Sequence, residues 1–438
     1  MIKGSILLKN GHIVLPDKIL TGNVLINKGK IESVVAKPIG DTDLTIDASG
    51  KYILPGFIDI HTNGIAGFDL TNGVYNLKTG NFFDDENSYF VGLEKALVQY
   101  AQKGVTSVYL TSLAAPIDQL KKIFGYIKKY KIVKNESVCK NVLKGLYIEG
   151  TFMKQSEYRG AHNPEYFFEP SIELFKELQN ACGGEIKIVN VVPEWGTPAL
   201  KLTEYLTENN IIPAAGHTGA TGHQYEAAIE KGLCLAVHFL NGPTGSSGKS
   251  FEGGGAVETI LRSDKMRLEL IVDGYHVDKA YVLDTIKRKG FDKVIPITDS
   301  MFAAEFPGLN NFEVLGIKGE VSKNGEYLHI ADRKQSLFGS KLVMPVAFSN
   351  LLNWLTSQNE GIWNRSHEQL NFEDALVKTS EMISINPAKL LDIYDSDDKT
   401  GSIEEGKKAD LIIADIDKTE NGYQFQIEKV FVQGKVVN

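Results

Sequence analysis

The chain has 438 residues, 42% hydrophobic and 23% charged, which is enough for one large domain and a smaller one. Its formal net charge of −8 argues against a general nucleic-acid binder, which carries a basic face. No apolar stretch approaches the roughly 20 residues of a membrane-spanning helix. The first residues show no secretory apolar segment, and three cysteines without metal-like spacing fit reduced thiols in the cytoplasm.

In chain order, residues 5–8, 12–15, 22–26 and 30–35 read as short strands separated by Asn-Gly, Pro-Asp and Lys-Gly turn pairs. Eight apolar runs then read as further strands: 56–61, 107–111, 145–149, 186–192, 211–217, 235–238, 268–272 and 294–299. Helical periodicity covers 89–102, 224–231 and 277–289, with Gly104, Gly232 and Gly290 just beyond as stop signals. Strands alternating with helices imply a parallel sheet, and eight units suggest closure into a barrel. An open doubly wound sheet is the alternative, but the chain lacks an early Gly-rich phosphate turn. Residues 74–90 read as a long loop on the catalytic side. Residues 310–336 read as a β-ribbon turning at Asn324-Gly325. Strands return at 409–414 and 428–432, around a turn at Asn421-Gly422. The expected fold class is α/β. A (β/α)8 TIM-type barrel would span residues 55–395, and residues 1–54 and 396–438 would form a small β-sandwich domain from the two ends.

Four of the strand runs stop at Glu149, His217, His238 and Asp299. At the carboxyl ends of barrel strands such side chains face the active site. Any one alone is more often a satisfied core histidine or a turn-forming acid. Four at four strand ends point to a shared ion. Carboxylate and imidazole suit zinc, iron or a similar divalent metal, and three protein ligands leave a position for water. Glu149, His217 and His238 would hold one ion per chain, with zinc the first candidate and iron or another transition metal the alternative. The ion would lower the pKa of water to about 7, and Asp299 would act as general base and then acid at the leaving nitrogen.

Longer pieces carry a family resemblance. They are Pro55-Gly56-Phe57-Ile58-Asp59-Ile60-His61-Thr62-Asn63-Gly64, Gly145-Leu146-Tyr147-Ile148-Glu149-Gly150, Arg159-Gly160-Ala161-His162, Ala215-Gly216-His217-Thr218, His238-Phe239-Leu240-Asn241, Asp273-Gly274-Tyr275-His276-Val277 and Thr298-Asp299. In this order they resemble the N-acetylglucosamine-6-phosphate deacetylases of the amidohydrolase superfamily. The resemblance implies a homodimer that hydrolyses the N-acetyl group of an amino-sugar phosphate. It also implies contacts to the sugar or its phosphate from His162 and His276, and substrate binding through main-chain or amide groups by Asn241 and Gly242.

Two departures bear on chemistry. Many superfamily members carry His-x-His at the end of the first strand, whereas this chain has His61-Thr62-Asn63. The fourth strand also lacks a bridging Lys. Both favour one ion, with His61 beside it or touching a weak second site. After His238 the family places an Arg that reaches a neighbouring subunit's substrate phosphate, and this chain reads Thr244-Gly245-Ser246-Ser247-Gly248-Lys249-Ser250. Lys249 would replace that Arg as a point charge, the loop's main chain would cradle the phosphate, or the substrate would carry none. The rival readings are an amidohydrolase acting on another amide and a metal-free scaffold.

Overall fold

The computed structural model describes residues 4–37, 40, 42–133, 137–241, 245, 247–358, 368–397 and 399–437. At its centre, eight parallel strands pair in sequential order. They are β1 (Phe57–Thr62), β2 (Val105–Ser112), β3 (Leu143–Phe152), β4 (Ile186–Val191), β5 (Ile212–Ala215), β6 (Leu235–Ala236), β7 (Arg267–Ile271) and β8 (Val294–Ile297). These are the apolar runs of the sequence, and β2 is buried along its whole length, as a strand covered on both faces must be. Helices follow the strands. Glu86–Gln102, for example, buries Tyr89, Leu93, Ala96, Leu97 and Tyr100 on one stripe, and Asp85 caps its first turn.

The seam between β8 and β1 is closed by few bonds. The Asp299 N–H donates to the His61 carbonyl at 2.9 Å. The buried Asp59 carboxylate of β1 accepts from Thr298 Oγ1 at 2.6 Å and from the Thr298 N–H at 3.3 Å. Burial pushes the Asp59 carboxyl up to about 7 against the Thr298 hydrogen bonds, which lower it.

Both excursions from the alternation lie beyond carboxyl ends of barrel strands. Residues 74–90 are not one long loop. Gly64–Ile65, Phe68–Asp69, Gly73–Asn76 and Asn81–Phe83 form an antiparallel sheet, and a helix begins at Glu86. Strands of two to four residues are too short to leave an alternating pattern. After β8, Asn311–Val314, Ile317–Val321, Leu328–Ile330 and Arg333–Leu337 form the expected antiparallel ribbon. The excursions share an aromatic core, with Tyr75 and Phe82 each within 5.0 Å of Phe302 between ring centroids.

The two chain ends build one further sheet. It contains Ile6–Val14, Ile19–Asn27, Lys30–Val35, Leu44–Asp47, Tyr52–Pro55, Leu411–Thr419, Gly422–Val432 and Lys435–Val436. The expected break at Asn10-Gly11 is instead a bulge within a single strand. Alternation assigns each residue its side. Ile53, Leu411, Ile413 and Phe431 face a small separate core, whereas Leu54, Ile412, Ala414 and Val432 pack into the barrel core.

Candidate metal centre and active site

Three of the four expected side chains leave their strand ends through strained backbone. His217, His238 and Asp299 have φ of 54°, 25° and 47°, conformations that side-chain-bearing residues seldom adopt. All three residues line one cavity with Glu149. Glu149 lies within β3, and Gly150 after it is required by packing, since a Cβ there would sit 2.3 Å from the Ala114 nitrogen.

The side chains converge. Glu149 Oε1 lies 2.9 Å from His238 Nε2 and 3.3 Å from His217 Nε2. One ligand atom from each of the three residues falls within 4.8 Å of the others, and all three residues are buried. The other ring nitrogens test whether the group fits an ion. His217 Nδ1 lies 2.8 Å from the Tyr158 carbonyl, and His238 Nδ1 lies 2.7 Å from the Asn241 carbonyl. A carbonyl only accepts, so each Nδ1 carries a proton, and in the neutral ring each Nε2 is the nitrogen left to offer a lone pair to an ion. One carboxylate and two such imidazoles suit a divalent transition metal. Burial pushes His217 down to about 4, which keeps it neutral. Burial also opposes charge on Glu149, but the imidazoles of His61 and His162 outweigh it and hold the carboxyl well below its usual range.

Asp299 faces the same space. Its Oδ1 accepts from Asn63 Nδ2 at 2.8 Å and lies 3.5 Å from His61 Nε2. Burial raises its carboxyl despite nearby His61, which is the direction that favours proton uptake by a general base. His61 directs Nδ1 to Glu269 Oε2 at 2.9 Å, and its Nε2, 3.5 Å from Glu149 Oε2, is buried without a hydrogen-bond partner. His162 has the opposite tautomer from the two ligand candidates. The Ala114 N–H donates to its Nδ1 at 3.2 Å, so in the neutral ring the proton sits on Nε2, 3.4 Å from Glu149 Oε2. His276 Nδ1 lies 2.6 Å from Asp273 Oδ2, and its buried Nε2 has no partner.

A cavity of about 340 Å³ joins these groups, and Gln335, Ser336 and Leu337 of the ribbon, with Phe338 and Gly339 just after it, line its wall. Asn241, His162 and His276 are in its wall. Lys249 is not. It is exposed, with its ammonium 5.7 Å from the Phe251 ring centroid. Gly242 lies outside the described residues.

The profile of the Amidohydrolase family matches residues 52–437. The chain belongs to the amidohydrolase family. N-acetylglucosamine-6-phosphate deacetylase of Haemophilus influenzae is 29% identical over 393 residues, covering 89% of this chain and 90% of the relative. The Bacillus subtilis enzyme of the same name is 28% identical and covers 94% of each chain. N-acetylgalactosamine-6-phosphate deacetylase of Escherichia coli O157:H7 is 25% identical, covering 94% of this chain and 93% of its own. The same fold occurs in N-acetyl-D-glucosamine-6-phosphate deacetylase of Mycobacterium smegmatis, with a TM-score of 0.79 at 20% identity over 99% of each chain. This amidohydrolase is a hydrolase of amide bonds. Among its described residues no helix is long and apolar enough to cross a membrane.

Sequence reasoning missed several members of this candidate site. Glu269 on β7 is fully buried and holds both the His61 ring and the His238 N–H, the latter at 3.1 Å. Its signal was visible, because a lone acid inside Leu268-Glu269-Leu270-Ile271 needs a buried partner. Asn63 looked like half of a missing His pair, yet it binds the acid Asp299. The Tyr158 carbonyl had no signal, since any residue supplies one.

Proposed function

We propose that this amidohydrolase removes the N-acetyl group of an amino sugar. N-acetylglucosamine 6-phosphate is the first candidate, giving glucosamine 6-phosphate and acetate. One observation carries the reading: a carboxylate and two Nε2 lone pairs fit to hold an ion share a single cavity with a buried, raised acid. The names of the relatives support the substrate class.

Glu149, His217 and His238 would hold one divalent ion, zinc before iron or another transition metal. Such an ion polarises an acyl oxygen and lowers the pKa of water to about 7. Asp299 takes the proton of the attacking water and passes it to the leaving nitrogen, while Asn63 fixes the orientation of its carboxylate. His162, with Nε2–H turned to the cavity, donates to the acyl oxygen as that oxygen gains charge. Asn241 and His276 contact the sugar. His61 stands beside the ion or at a weak second site. By its resemblance the enzyme acts in the cytoplasm as a homodimer, which light scattering of the full chain tests.

The test of function is acetate release from N-acetylglucosamine, its 6-phosphate, and the galacto and manno 6-phosphates. The gluco 6-phosphate is expected to be fastest. No release from any of the four would refute the reading. A second reading, an unphosphorylated sugar or another amide, is favoured by a cavity wall whose described residues include no Lys or Arg. Equal rates with and without phosphate would select it.

A further inference from the structure

A doubly charged phosphate would need a cation beside this cavity. Two arginines flank its wall. Arg159 immediately precedes Gly160, Ala161 and His162, and Arg333 begins the strand Arg333–Leu337 whose Gln335, Ser336 and Leu337 line the cavity. They come from segments far apart in the chain, and Arg333 Nη2 ties the two together by donating to the Gly160 carbonyl at 2.9 Å. Arg333 Nε is buried and has no hydrogen-bond partner. Among the described residues neither guanidinium makes an ion pair with a carboxylate. Burial and then repulsion from Arg159 lower the pKa of Arg333, and Asp332, its neighbour in sequence, offsets only part of this. A buried N–H on a charged group is costly when unpaired. An anion with several acceptor oxygens relieves both this and the mutual repulsion, because the planar fork of Arg matches phosphate geometry.

We propose that Arg159 and Arg333 form an anion subsite on the ribbon side of the cavity, and that it takes the phosphate monoester of the substrate. The substrate part rests on the phosphosugar reading above. The ribbon after β8 thereby becomes a specificity element, supplying a cationic side chain where the described wall residues include no Lys or Arg.

Inorganic phosphate is the direct probe. Calorimetric titration of the metal-loaded full chain is expected to show phosphate binding that weakens at least tenfold in R159Q and in R333Q. R333K is expected to recover part of the loss, since Lys keeps the charge without the fork. R159Q guards against misfolding, because Arg333 also tethers the Gly160 carbonyl and Arg159 does not. Phosphate affinity unchanged in both glutamine variants overturns the subsite, whatever the enzyme does with sugars. Kinetics supply the substrate arm. In each variant KM for N-acetylglucosamine 6-phosphate should rise at least tenfold relative to KM for N-acetylglucosamine, with kcat for the phosphorylated sugar within about threefold of wild type. An equal rise for both sugars marks a mere clamp on the Gly160 turn and overturns the proposal. A wild-type enzyme indifferent to sugar phosphorylation overturns the phosphosugar reading and the substrate assignment made here, leaving the anion subsite to be judged by the phosphate titration.

Discussion

Asp299 combines burial, a raised carboxyl and a fixed hydrogen bond from Asn63, so its proton affinity and its orientation are set by separate groups. Asp299→Asn should keep the fold and the bound metal while losing about 10²- to 10⁴-fold in kcat, the usual contribution of a positioned acid–base group. Metal analysis beside steady-state kinetics checks it, and a variant that turns over normally removes Asp299 from the chemistry. His217→Ala should show the opposite pattern, with metal content falling first, because its Nε2 lone pair is one of three ligand atoms. The four strand-end residues were legible from sequence because an apolar run ending in a carboxylate or imidazole is a local pattern. Their tautomers were not legible. Which nitrogen of His162 or His217 carries the proton follows from the Ala114 N–H and the Tyr158 carbonyl, and main-chain groups leave no trace in residue type.

Among the elements, β7 contributes a buried acid and β1 a titrating seam. Glu269→Gln should weaken metal binding by about 10- to 100-fold, the usual effect of losing a partner that orients groups around a metal site. Chelator competition measures this, and an unchanged affinity would mean that Glu269 only fills the barrel. Asp59 predicts a pH effect on stability. Its carboxyl sits at about 7 in the folded barrel and near 3.8 when unfolded. The folded state therefore binds more protons between those values. Its favourable contribution is complete below about pH 4 and is lost as pH climbs toward 7, on the order of 4 kcal/mol at about 1.4 kcal/mol per unit. Asp59→Asn keeps the acceptor for the Thr298 N–H and can donate to Thr298 Oγ1 without titrating. Its Tm relative to wild type should rise between pH 5 and pH 8, and a difference constant across that range would contradict the assignment. The eight barrel strands were legible as elements because burial on both faces makes them continuously apolar. The small sheet over Gly64–Ile65 to Asn81–Phe83 was not, because main-chain pairing rather than side-chain pattern defines such short strands.

For the molecule as a whole, an ion held between β3, β5 and β6 would tie distant parts of the barrel together. Ligands that bind only the folded state stabilise it by mass action, about 2.7 kcal/mol at a hundredfold excess over Kd. Chelation should therefore abolish deacetylation and lower Tm, and adding back the divalent ion should restore both. Activity that survives complete metal removal would exclude the proposed chemistry.

By itself the amino-acid sequence determined the barrel strands, the ribbon after β8, a β-rich unit from the two ends, and four candidate side chains, three just past strand ends and Glu149 near the end of β3. All of these are written in local periodicity and in residue type at an element's end. The tertiary structure alone decided the partners. His61 meets Glu269 across 208 residues of chain, and Asn63 meets Asp299 across 236. Such pairs depend on closure of the β1–β8 seam and on the register between strands. A slip of one residue would turn every side chain to the other face. That information belongs to no single segment, so only the closed barrel reveals which acid is held, which imidazole is aimed, and that Arg333 meets the turn that follows Arg159.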